Sequence, residues 1–161
     1  MDYLGAVLRP AAWQLFSSAP ESNRFPYGAM IDAIRAADPS AHMSLKEAAE
    51  IKEELNRRGL IFASGREDGE TQYSFIHKTF LEYLAAEHLC RILRKDGWDK
   101  AIVSWKGQCR VRVDLLVKKM TWLPSWQETL VMLTAALGED KDPEKAAQMV
   151  GRMMELMVDG R

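Results

Sequence analysis

The sequence predicts a mainly α-helical chain with one small β-hairpin near its middle. Three observations predict it. Apolar residues recur at helical spacing through most of the chain, as in Leu4, Val7, Leu8, Ala11 and Leu15, or in Ala146, Met149, Val150 and Met153. One stretch, Leu60 to Ile76, instead sets two short apolar and aromatic runs across a polar, glycine-bearing turn. Start and stop signals bracket helices: Ser44 precedes Glu47 at capping-box spacing, Gly59 follows Arg58, and Asp142-Pro143 precedes the last apolar stripe.

The first helix is expected from about Tyr3 to Phe16, with Ala12, Trp13 and Phe16 widening its stripe. Pro10 lies inside it. Proline removes a donor and crowds the preceding turn, so the helix should either kink there or begin near Arg9 with Pro10 in its first turn. Ser17 to Pro26 reads as a loop, and Pro26 to Ala37 as a short helix carrying Met30, Ile31 and Ile34, closed by Asp38-Pro39. A third helix starts at the Ser44–Glu47 capping box, runs to Arg58 and stops at Gly59. Leu60-Ile61-Phe62, a turn from Ser64 to Glu70, and Tyr73-Ser74-Phe75-Ile76 then make the hairpin. Three helices followed by a hairpin are the element order of a winged helix.

A long helix should follow from His77 to about Lys95. At about 100° per residue, Lys78, Thr79 and Glu82 fall on one side and Glu87, Arg91, Arg94 and Lys95 on nearly the opposite one. Its two ends therefore bury different faces, as expected of a helix joining two packed units. Helices from Trp98 to Trp105 and from Val111 to Met120 are expected next. A second capping box, Ser125 to Glu128, should open a helix carrying Leu130, Leu133, Thr134 and Leu137 and ending at Gly138. Asp142 can cap the last helix, Pro143 suits its first position, and Ala146, Met149, Val150, Met153, Met154 and Met157 form its inward stripe. Two such helices joined by a short loop make an antiparallel helical hairpin, the unit of helical solenoids. One hairpin cannot bury both its faces, so it should open a HEAT-like array. The expected organisation is thus a winged helix over 1–76, a bridging helix over 77–95 and a helical bundle over 96–161.

Composition excludes several classes. With 161 residues, 47% of them hydrophobic, the chain can build a real core. Its formal net charge of −1 gives it no overall attraction to nucleic acid or acidic membranes. Cys90 and Cys109 stand outside any zinc or disulfide spacing and read as free thiols of a reducing compartment. No apolar run approaches the roughly 20 residues needed to span a bilayer, and no signal segment opens the chain, so a cytoplasmic location is expected.

The stretch Arg58-Gly59-Leu60-Ile61, then Tyr73-Ser74-Phe75-Ile76-His77-Lys78-Thr79-Phe80-Leu81-Glu82-Tyr83-Leu84-Ala85-Ala86, is similar to the end of the winged-helix domain in NACHT-type STAND signalling ATPases, the NLR-like switches. In that family an aromatic strand runs into a His, then a Phe, then Glu-Tyr-Leu-Ala-Ala at these offsets. Leu81 departs from the glutamine commonest at its position. The resemblance is carried by about Ala48 to Leu93, extends back to Met1, and after Trp98 it is architectural. It implies a nucleotide-dependent switch in which this region lies behind a nucleotide-binding core and in front of a sensor array. It also implies that His77 reaches a phosphate of ADP bound in the closed, inactive state. An imidazole donor beside the unsatisfied N–H groups of a helix start suits an anion.

The rest of a nucleotide site is missing. There is no GxxxxGK[ST] loop and no apolar strand ending in paired acids to hold Mg²⁺, so the chain is not expected to be an enzyme or to hold a cofactor alone. ADP or ATP belongs to the intact protein. Its partners should be the nucleotide-binding core and sensor domains of the same parent chain, with self-assembly on activation as part of the same expectation. Nucleic acid is disfavoured, because Lys46, Lys52, Arg57 and Arg58 of the third helix are balanced by Glu47, Glu50, Glu53 and Glu54. The alternative is a free-standing winged helix binding protein or DNA.

Among other candidates, Phe75, Phe80, Tyr83 and Leu84 read as core, Glu82 as a paired or capping carboxylate, and His42 and His88 as bland. The basic stretch from Arg91 to Lys119 reads as a solvated face, with a surface for a partner domain or for nucleic acid as the alternative.

Overall fold

The computed structural model describes residues 3–38, 40, 42–104 and 109–160. Among them it is mainly helical, with seven helices and two small antiparallel sheets. It forms two compact units, residues 1–85 and 86–161.

In the first unit, helix α1 (Tyr3–Ser18) runs unbroken through Pro10 rather than starting at Arg9. It buries Val7, Leu8, Ala11, Ala12, Trp13, Leu15 and Phe16 and packs on α2 (Tyr27–Ala36), which packs on α3 (Leu45–Arg57). Both predicted ends of α3 form. The Ser44 hydroxyl accepts the Glu47 N–H at 3.1 Å, and Gly59 leaves the helix at φ 73°. Strand β1 (Phe25–Pro26) precedes α2, and strands β2 (Ile61–Glu67) and β3 (Glu70–Phe75) follow α3, in the sheet order β1-β3-β2.

Two expectations fail here. The segment read as a loop up to Pro26 ends in β1, where Phe25 pairs with Tyr73; two residues ending in proline are too short to show alternation. The turn expected from Ser64 to Glu70 is only Asp68-Gly69, at φ 52° and 77°, the left-handed pair that a two-residue hairpin needs. Ser64 to Glu67 lie in β2, and a register shift between Ala63 and Gly65 leaves Ser64 as a bulge. That bulge and its polar neighbours imitate a loop in the sequence.

Helix α4 (Lys78–Asp96) contains the boundary between the units. It ends before Gly97, at φ 81°. In the second unit the helix expected from Trp98 to Trp105 is instead a strand, β4 (Ala101–Ser104), paired with β5 (Cys109–Arg112), while Trp105 lies outside the described residues. The β-branched Ile102, Val103 and Val111 favour that hairpin over helix. The helix expected from Val111 consequently starts later, as α5 (Val113–Met120).

Helix α6 (Pro124–Gly138) starts at Pro124, so no capping box forms at Ser125: proline already has the first-turn φ and has no N–H to satisfy. In α7 (Pro143–Asp159), Asp142 caps as expected, its Oδ1 accepting the Glu144 N–H at 3.0 Å. Its inward stripe is Ala146, Met153 and Leu156, with Met149, Val150 and Met157 half-buried. Met154 points outward, 53% exposed. Helix α7 packs against α6 and α5.

Candidate functional site

Strand β3 and helix α4 meet at Ile76-His77, and the backbone there is held from both sides. On one side the Ile76 N–H donates to the Leu60 carbonyl at 3.0 Å. On the other, the Asn23 carboxamide accepts the Phe75 N–H at 3.1 Å and donates to the Phe75 carbonyl at 3.0 Å. The His77 carbonyl then accepts the Phe80 and Leu81 N–H groups, at 3.1 and 3.3 Å, closing the first turn of α4. The His77 side chain is exposed, next to the first-turn N–H groups that a helix leaves outside its own ladder. An imidazole so placed can donate to an anion approaching the start of α4.

The apolar residues around this junction divide differently from the expected core. Phe75 and Leu84 are buried, with the Phe75 ring 6.5 Å from Phe25 and 6.4 Å from Phe80 in edge-on arrangements. Phe80 is only half-buried, and Tyr83, expected in the core, is 47% exposed. Both stand beyond the buried stripe Leu81, Leu84, Ala85 of the first part of α4. Glu82, placed by periodicity on a polar side, is buried.

A second cluster lies further back along β3, around Tyr73. Lys52 of α3 is 5% exposed, its Nζ donating to the Tyr73 hydroxyl at 2.9 Å and lying 5.2 Å from the centroid of the Tyr27 ring. Burial alone pushes its amine down, but hydrogen bonds to Glu53 and Tyr73 outweigh that and hold it above the ordinary lysine value. Such an amine stays protonated and is a structural cation, not a nucleophile. Arg57 and the C-cap Arg58 both pair with Glu54, so Lys52, Arg57 and Arg58 are engaged within the helix or the core beneath it. Of the cations on α3 and its C-cap, only Lys46 has no ion pair or buried contact among the described residues.

The basic stretch is likewise partly engaged. Arg94 donates to the Ala136 carbonyl at 2.6 Å, and Arg112 bridges Asp99 and Asp114, at 2.6 Å to each. Cys90 is buried, and burial pushes its thiol above the ordinary value, leaving little thiolate for chemistry. The His42 backbone N–H donates to the Asp38 carboxylate, and His88 is half-buried in α4. Among the described residues no group of three His, Cys, Asp or Glu side chains is placed to hold a metal, and no helix is long and apolar enough to cross a membrane.

Comparison with protein-family models, curated proteins and solved structures finds no match. Sequence reasoning singled out His77 but missed Asn23. Nothing local marks an asparagine in a polar loop, and its partner lies 52 residues away.

Proposed function

We propose that this chain is the regulatory, non-catalytic part of a NACHT-type STAND switch: a winged helix, a bridging helix and the opening of a helical sensor array. In the intact protein His77 contacts a phosphate of ADP held by the upstream nucleotide-binding core and favours the inactive state. The observation that carries the reading is the run from an aromatic strand through His77 into Phe80 and Glu82-Tyr83-Leu84-Ala85-Ala86. The exposure of His77 at a junction braced on both sides supports it, since a phosphate contact needs an accessible donor in a fixed place.

A role for α3 as a DNA reader finds no support, because Lys52 is buried and Arg57 and Arg58 face Glu54. The reading places ATP hydrolysis, effector output and self-assembly in the parent protein. The test is the coding sequence upstream of Met1. An in-frame GxxxxGK[ST] loop followed by an apolar strand ending in acids is expected. An in-frame stop codon directly upstream would overturn the proposal in favour of a free-standing winged helix.

A further inference from the structure

We infer that Asn23 is a positioning residue for His77, fixing the strand-to-helix junction from which the histidine meets its phosphate; the inference rests on the function proposed above. Strand β1 pairs with β3 at Phe25↔Tyr73 and Pro26↔Gln72, and the same antiparallel register, continued two residues, sets Asn23 opposite Phe75. At that position the backbone of β1 no longer pairs, and the Asn23 side chain takes its place. A carboxamide carries the same N–H and C=O groups as a peptide unit, and here it makes both bonds of a ladder pair, at 3.0 and 3.1 Å.

The clamp is itself braced. The Ser22 N–H donates to the Ala19 carbonyl and the Ser22 hydroxyl donates to the Arg24 carbonyl, both at 3.0 Å, so the loop bearing Asn23 is folded on itself. Asn23 thus holds Phe75 from one edge while Leu60 holds Ile76 from the other, bracing the backbone just before His77. Removing the carboxamide strips both backbone groups of Phe75, whose side chain is buried, of their partner, and the exit of the strand loosens two residues before the histidine. A donor free to wander by an ångström loses most of its value to a bound anion.

The experiment is a double-mutant cycle on ADP affinity, by calorimetry, in the full-length parent protein: wild type, Asn23→Ala, His77→Ala and both together. His77→Ala should weaken ADP binding by about tenfold or more, the size of one hydrogen bond to a charged group. Asn23→Ala should weaken it several-fold, and the double variant should bind no more weakly than His77→Ala alone, because Asn23 acts through the histidine. If Asn23→Ala binds like wild type, or its loss adds in full to that of His77→Ala, the positioning role is overturned while the proposed function stands. If His77→Ala itself changes nothing, the proposed function falls and this inference with it. Asn23→Asp keeps the acceptor for the Phe75 N–H but sets a carboxylate oxygen against the Phe75 carbonyl, and any direct effect of its charge on ADP persists in the His77→Ala background, where the cycle subtracts it. This variant decides the same comparison should Asn23→Ala fail to fold.

Discussion

The Lys52 ammonium donates to the Tyr73 hydroxyl at 2.9 Å and pairs with Glu53 at 2.6 Å, tying α3 to the central strand of the sheet through a buried charge. Because its folded-state pKa is raised, the stability it contributes is fully present below the ordinary lysine value of 10.5 and is lost as pH rises through the folded value. Lys52→Met should cost about 1–2 kcal/mol at neutral pH, from the lost hydrogen bond and the lost ring contacts. In urea titrations that difference from wild type should stay constant through neutral pH and shrink in strong alkali. A difference that grows with alkali would contradict the assignment.

Helix α2 has proline at its N-cap, which offers no side-chain acceptor, and Glu70 at the start of β3 supplies one, taking the Gly28 N–H at 2.8 Å. Glu70→Ala should destabilise the chain by about 1 kcal/mol, as the loss of a cap does. Glu70→Gln keeps an acceptor oxygen and loses only the charge beside the helix start, so it should cost less. Chemical denaturation of the two variants orders them.

Two glycines should respond oppositely to alanine. Gly69 sits at φ 77° in the hairpin turn, and a side chain there costs about 1 kcal/mol. Gly151 lies inside α7 with open space where a Cβ would stand, so Gly151→Ala should stabilise by up to about 1 kcal/mol. Thermal melts should shift down for the first and up for the second.

In the second unit Asp114, 6% exposed, accepts from both the Arg112 guanidinium and the Leu115 N–H at the start of α5. The two carboxylates facing Arg112, Asp114 first and then Asp99, hold its guanidinium above the ordinary arginine value. Asp114→Ala should cost about 1–3 kcal/mol, whereas removing the exposed Asp99 should cost under about 1 kcal/mol. Equal effects would show that burial of Asp114 contributes nothing.

The helices were legible in the sequence because their signals are local. The stripe from Val7 to Phe16, the Ser44 cap, Gly59, and the Asp142 cap each act within a few residues. What was hidden is non-local. Strand β1 exists only because Phe25 meets Tyr73, and β4 exists only because Ile102 pairs with Val111. The Ser125 capping box was a local signal overridden by a nearer one, Pro124. The site divides in the same way. His77 could be singled out from its neighbours along the chain, while Asn23 becomes visible only when register brings it opposite Phe75.

The central claim proposed here is that His77 contacts the nucleotide of the inactive state, and calorimetric ADP binding to the full-length protein tests it most directly. The account predicts a loss of about tenfold or more in ADP affinity for His77→Ala, with the fold intact by circular dichroism. Equal affinity in wild type and His77→Ala would contradict it and leave His77 as a histidine that merely starts a helix.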